Sequence, residues 1–199
     1  MASPIDEFIR ALRIEAETIS SLEEDTNFES ILMVIPALEK CTGKIIISGC
    51  GTSSMAAKKI AHSLCCIERP ALFLSPSDAV HGALGVLLRD DILVLISKGG
   101  KTKELEPLSY VCKQKAALLI VVSETSESTI GRNADVFLQI KVKSEPCKYN
   151  ILATASTLAV LAIFDAICIA LMSTTAYSIK QFSTIHPSGA VGERLLEEK

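Results

Sequence analysis

Hydroxyl-bearing side chains gather at two places where an apolar run gives way to small residues. The first is Ile45-Ile46-Ile47-Ser48-Gly49-Cys50-Gly51-Thr52-Ser53-Ser54, and the second is Ile92-Leu93-Val94-Leu95-Ile96-Ser97-Lys98-Gly99-Gly100-Lys101-Thr102. Small residues let the backbone approach an anion, and hydroxyls donate to its oxygens. A helix opening at such a loop adds free N–H groups and the positive end of its dipole. Two such loops on strands that could be neighbours in a parallel sheet predict one phosphorylated ligand held from two sides. The candidate contacts are Gly51, Thr52 and Ser53 from the first loop, and Ser97, Lys98 and Thr102 from the second. Helix capping alone would account for Ser53, but three consecutive hydroxyls exceed what one cap uses. Gly99-Gly100 predicts a tight turn in which both glycines supply backbone freedom. Lys98 is either an ordinary solvent-facing loop lysine or a cation at the ligand.

Groups able to move protons are fewer. His81 lies in the turn-rich Asp78-Ala79-Val80-His81-Gly82-Ala83-Leu84-Gly85, and His186 in His186-Pro187-Ser188-Gly189 before a short helix. Spacing alone leaves each open between a histidine tied to a carbonyl and an acid–base group. Glu104 falls in the first turn of the helix after the second loop, where the helix dipole already explains a carboxylate. His62, within the apolar face of a helix, reads as structural. The three histidines and seven cysteines show no metal-ligand spacing, so neither a metal nor a cofactor is expected.

These residues need a scaffold that brings distant loops together, and the chain order supplies one. From residue 44 onward, β-branched runs at 44–48, 71–74, 91–97, 117–123 and 135–141 alternate with helical intervals at 53–66, 102–115 and 126–133. Such alternation predicts an α/β fold: a three-layer sandwich around a five-stranded parallel sheet with right-handed crossovers. Ligands on such sheets bind beyond the carboxyl ends of the strands, where both hydroxyl-rich loops fall. Upstream, Ile5, Phe8, Ile9, Leu12, Ala16 and Ile19 predict an amphipathic helix over 3–22. Thr26-Asn27-Phe28-Glu29 then reads as a capping box for a second helix, which Pro36 should kink or end. The two helices lack a core of their own and must pack on the rest of the chain or on another subunit. We read residues 1–199 as one domain, a helical arm at 1–43 and an α/β core at 44–199.

Composition narrows the partners. Residues 1–43 carry nine acidic and three basic side chains (Arg10, Arg13, Lys40), a balance of −6, which leaves +3 for the remainder. That distribution suits a small anionic ligand, and no block of Lys or Arg marks a nucleic-acid footprint. The odd cysteine count without Cys-x-x-Cys reads as free thiols in a reducing cytosol, and no signal peptide is expected at the N-terminus. Residues 153–172 have the length of a bilayer span. However, Asp165 would cost about 2.5–3.5 kcal/mol near its middle. A helix buried all round, in the core or in a subunit interface, is the expectation.

With these segments in order, the chain resembles the sugar isomerase (SIS) domain family, in particular its arabinose-5-phosphate isomerase branch in the short form without CBS domains. The resemblance runs from about residue 5 to residue 196. It rests on residues 48–54, 75–85, 97–105 and 186–195, together with the hydroxyl-rich helix start at 153–159 and Asp165. It implies reversible aldose–ketose isomerisation of a sugar phosphate by a homodimer or homotetramer with shared active sites, His186 acting from a neighbouring subunit. It places phosphate contacts on Ser53, Ser97 and Thr102, and catalytic candidates on His81, Glu104 and His186. Three departures stand out. Thr52 replaces a lysine usual in that branch, so that Gly49-Cys50-Gly51-Thr52-Ser53 is closer to the loop of glucosamine-6-phosphate synthase. Lys98 and Gly99 replace a small polar residue and a serine, and Ser188 replaces a glycine. Lys98 is therefore expected to restore positive charge near the ligand. A sugar-phosphate sensor without catalysis and a 6-phospho-3-hexuloisomerase are the alternative readings.

Overall fold

Five short strands with alternating faces build the centre of the protein. The computed structural model describes residues 3–197; the extreme ends of the domain read from the sequence as 1–199 lie outside the described residues. The elements run α1 (Pro4–Asp25), α2 (Phe28–Lys40), β1 (Ile45–Gly49), α3 (Thr52–Cys65), β2 (Ala71–Phe73) and α4 (Pro76–Ala79). They continue with β3 (Ile92–Ile96), α5 (Glu106–Gln114), β4 (Leu118–Ser123), α6 (Thr129–Asn133), β5 (Val136–Gln139), α7 (Ala155–Thr174), α8 (Ile179–Ile185) and α9 (Gly189–Glu197). The sheet is parallel throughout, in the order β2-β1-β3-β4-β5. The expected α/β sandwich is present, with each strand within two residues of its predicted bounds.

Period-two alternation sends the two faces into different layers. Ile45, Ile47, Val94 and Val122 pack with α2, α3 and α7, whereas Ile46, Leu93, Leu95 and Val121 pack with α5 and α6. The β1 crossover helix α3 therefore covers one face and the β3 crossover helix α5 the other. The strand order reverses direction between β1 and β3, so the loops leaving these strands part to opposite sides and open a crevice. Register fixes its level: Gly49 pairs with Ile96, so Cys50 and Ser97 leave the sheet side by side.

The amino ends of the strands are tied by Asp91. This carboxylate is 1% exposed and accepts from the Lys44 ammonium at 2.7 Å, the Lys44 amide at 2.8 Å and the Leu88 amide at 2.7 Å.

Three sequence expectations change. Asn27, not Thr26, caps α2, accepting from the Glu29 amide at 2.9 Å, while Thr26 closes α1. The helix runs through Pro36 to Lys40, anchored on either side by the buried Val34 and Leu38. The carbonyl that a proline at 36 leaves unbonded belongs to Leu32, which faces solvent, where water can take it. Helix α7 is not buried all round within the chain. Ile163, Ile167 and Leu171 form its buried stripe, but Ile169 is 66% exposed and Asp165 pairs with Lys59 on the surface. Among the described residues no element covers that outer side, nor Ile5, Phe8 and Leu12 of α1.

Candidate active site

The first loop turns on Gly51, whose φ of +56° and ψ of −128° suit a residue without Cβ. Gly51, rather than Ser53, is the cap of α3, and its carbonyl accepts from the Ser54 hydroxyl at 2.7 Å and the Ser54 amide at 3.0 Å. Ser53 thus lies inside the first turn. Among the described residues its hydroxyl has no hydrogen-bond partner, and it lines a cavity at the mouth of the crevice. Thr52 is exposed beside it. The Ser54 amide is thus taken, but the Thr52 and Ser53 amides have no partner among the described residues and remain free donors at the helix start.

The second loop is braced from β4. The Lys98 carbonyl accepts from the Ser123 hydroxyl at 3.0 Å and the Glu124 amide at 2.8 Å, and the Gly100 amide donates to the Ser97 carbonyl at 3.1 Å. Ser97 is buried, with its hydroxyl 2.8 Å from that of Thr102, so the two form one donor pair. Only one of the two glycines is conformationally required. Gly100 has φ +65°, and a Cβ there would lie 2.2 Å from the Ser128 hydroxyl, whereas Gly99 has an ordinary φ and faces open space. Gly100→Ala is therefore expected to cost at least about 2 kcal/mol, from the left-handed backbone and the collision with Ser128 together. Gly99→Ala is expected to be near neutral. Urea unfolding of both variants checks this, and equal midpoints would show the turn to be tolerant.

Lys98 does not stand free toward a ligand. Its ammonium lies 2.6 Å from Oε1 of Glu145, a side chain with no exposed surface. The same carboxylate accepts from the Thr154 amide at 2.9 Å, the Ser156 amide at 3.4 Å and the Ser156 hydroxyl, at the start of α7. Burial pushes the Glu145 carboxyl up, but Lys98, Ser156 and Thr154 outweigh it and hold the group below the usual range. The cavity between these loops encloses about 40 Å³, room for a water, with Ser53, Lys98, Ser123, Ser156 and Thr157 in its wall. The sequence reading missed Glu145 because residues 141–154 have neither strand nor helix periodicity. One signal was present: it is the lone carboxylate there, among Lys141, Lys143 and Lys148 and ahead of a hydroxyl-rich helix start.

Of the three proposed acid–base groups, two reach this end of the sheet. Glu104 sits exposed in a 3-10 turn, Lys103–Leu105, close enough to the first loop that its charge adds to burial in pushing the Cys50 thiol up. His81 follows α4, which packs against that turn, and its ring is exposed. His186 is elsewhere. It ends α8, its Nδ1 bonding the Phe182 carbonyl at 2.9 Å and its ring stacked on Phe182 with centroids 4.0 Å apart. A carbonyl only accepts, so Nδ1 carries the proton and Nε2 is left for other work. Gln181 of α8 bonds Glu68 at 2.8 Å, and Tyr177 bonds the Cys66 carbonyl at 3.0 Å. These tethers lie past the C-terminal end of α3, while the cradle lies at its start, about 20 Å away for a helix of this length. His186 is thus remote from its own chain's crevice. Among the described residues no three His, Cys, Asp or Glu side chains gather as a metal site, and all seven cysteines are free.

Hydroxyls at a switch point, with free helix-start amides and a buried carboxylate beside them, make this an α/β domain whose crevice has the donors a small anion would need. Residues 38–170 match the SIS domain, and the chain belongs to that family. It is 36% identical over 187 residues to an arabinose 5-phosphate isomerase of Yersinia pestis, covering 94% of this chain and 57% of the relative. It thus spans a little over half the length of that curated relative. A crystal structure of a candidate sugar-phosphate isomerase from Listeria monocytogenes is 51% identical, with a TM-score of 0.91 over 92% of this chain and 96% of the other. An Escherichia coli CFT073 protein in complex with arabinose 5-phosphate is 27% identical, with a TM-score of 0.87 over 92% and 97%.

Proposed function

We propose that this chain is an aldose–ketose isomerase interconverting arabinose 5-phosphate and ribulose 5-phosphate. The observation that carries the reading is an anion cradle whose loop lysine, Lys98, lines the cavity and is paired with a buried carboxylate, Glu145, held below its usual pKa. The Yersinia relative named for this activity and the Escherichia coli neighbour holding arabinose 5-phosphate support the choice of sugar. Ser53, Ser97 and Thr102, with the α3 amides, take the phosphate. Isomerisation then needs a proton removed beside the carbonyl and returned one carbon along, by groups that titrate near working pH or stay ionised there. Glu145 and Glu104 are two carboxylates at this end, and His81 is an imidazole there. Hydroxyl and amide donors around the crevice can stabilise the enediolate oxygens.

His186 completes the site from a second copy of the chain. Its remoteness from its own crevice supports this, as do the bare apolar strips on α1 and α7 that a second copy would cover. Thr52 favours one other reading, a binding module that senses a sugar phosphate without turning it over, because the first loop offers no cation.

Proton exchange separates the two. In heavy water, arabinose 5-phosphate and ribulose 5-phosphate are expected to interconvert, with deuterium entering beside the carbonyl, as followed by NMR. Binding without exchange would leave the sensor. Co-expressed His186→Ala and Glu145→Gln chains are expected to regain turnover, since one site of a mixed pair carries neither lesion. No recovery would place His186 outside the shared site.

A further inference from the structure

Lys98 of the second loop lines the cavity, yet its ammonium is paired with a carboxylate, and this changes its role. Glu145 is withdrawn from water, and among the described residues Lys98 is the charged side chain bonded to it. Its other partners are neutral: the Thr154 and Ser156 amides and the Ser156 hydroxyl of α7. Its own amide is held by the Asn150 side chain at 2.6 Å, and Cys147, two residues on, is taken up by the Ile151 and Leu152 amides. Lys98 is itself anchored, its carbonyl fixed by Ser123 and Glu124, while its side chain stays 40% exposed. The first loop, with Thr52, offers no cation to this carboxylate.

We propose that Lys98 is a positioning residue for Glu145 rather than a phosphate ligand: the ion pair keeps the carboxylate ionised and fixed behind Lys98 and Ser156, which line the cavity. The loop that supplies Ser97 and Thr102 to the phosphate thereby also sets the charge state of a carboxylate that could take up the proton. The kinetic part of this inference rests on the isomerase reading; the charge-state part does not.

Lys98→Met and Lys98→Arg in the full chain test it. The readout is the titration of Glu145 by carboxyl NMR on isotope-labelled glutamate, its signal assigned by loss in Glu145→Gln. Removing a cation in direct contact is expected to raise that titration by about 1–3 pH units. Lys98→Arg should restore most of it. In turnover, Lys98→Met should shift the acid limb of kcat/KM upward by a similar amount, with kcat reduced and KM for the sugar phosphate within about threefold. A Glu145 titration that does not move overturns the assignment whatever the kinetics. A KM raised tenfold with that titration unmoved would make Lys98 a phosphate ligand. A wild-type chain that turns over no sugar would remove the isomerase reading alone, and the titration would still decide the role of Lys98.

Discussion

Glu145→Gln is expected to lower turnover by about 10²–10⁴-fold, the range a positioned proton-transfer group supplies. The amide keeps the shape of the carboxylate and can still accept from the Thr154 and Ser156 amides. It cannot take up a proton, and it faces Lys98 without a charge. Because the Lys98 side chain is 40% exposed, water can solvate the ammonium left behind. The folded state should therefore lose far less than the roughly 3–5 kcal/mol of a pair whose survivor stays buried. A progress curve by NMR, together with a thermal melt, checks both halves. Turnover within a few-fold of wild type would take Glu145 out of the chemistry.

At the other end of the sheet, Asp91→Ala should damage stability and not the reaction. Its loss strands the part-buried Lys44 and Leu88 amides and the Lys44 ammonium without their acceptor, where a fully buried donor left unpaired costs about 1–3 kcal/mol. A total of about 3–5 kcal/mol is expected, read as a lower urea midpoint at neutral pH. The effect has a definite pH dependence. Burial alone would push the Asp91 carboxyl up, but Lys44 and the two amides outweigh it and hold the folded-state pKa below its ordinary value. A group depressed on folding contributes its full stability above the unfolded pKa, about 3.9, and loses it as pH falls through the folded value. The gap between wild type and variant should thus narrow as pH falls below the unfolded value. Equal midpoints at pH 7 would remove this tie from the account of the fold.

The scaffold was legible because it is repetitive. Each β-branched run ends in a turn signal, so five strands and the parallel order follow from local pattern, and the two hydroxyl loops fall at the switch point as that order requires. Ser97 and Thr102 could be paired from sequence because one short glycine turn joins them. Glu145 could not, since its partner Lys98 lies 47 residues away and its own segment has no period to mark it. Pro36 misled for a related reason. Its cost depends on whether water reaches one carbonyl, which the two anchors Val34 and Leu38 settle through tertiary packing. Residue type alone likewise made Gly99 and Gly100 equivalent, although only Gly100 meets another side chain.

The position of His186 at the far end of α3 bears on how the protein behaves on dilution. A solitary chain holds the cradle, Lys98 and Glu145 intact but lacks the imidazole that the shared-site reading requires. Affinity for a sugar phosphate would then persist at any protein concentration. Rate per chain would fade once copies separate, and the total rate would follow the square of concentration where single chains predominate. Binding and turnover would part company in the same tube, with no change in any residue of the crevice.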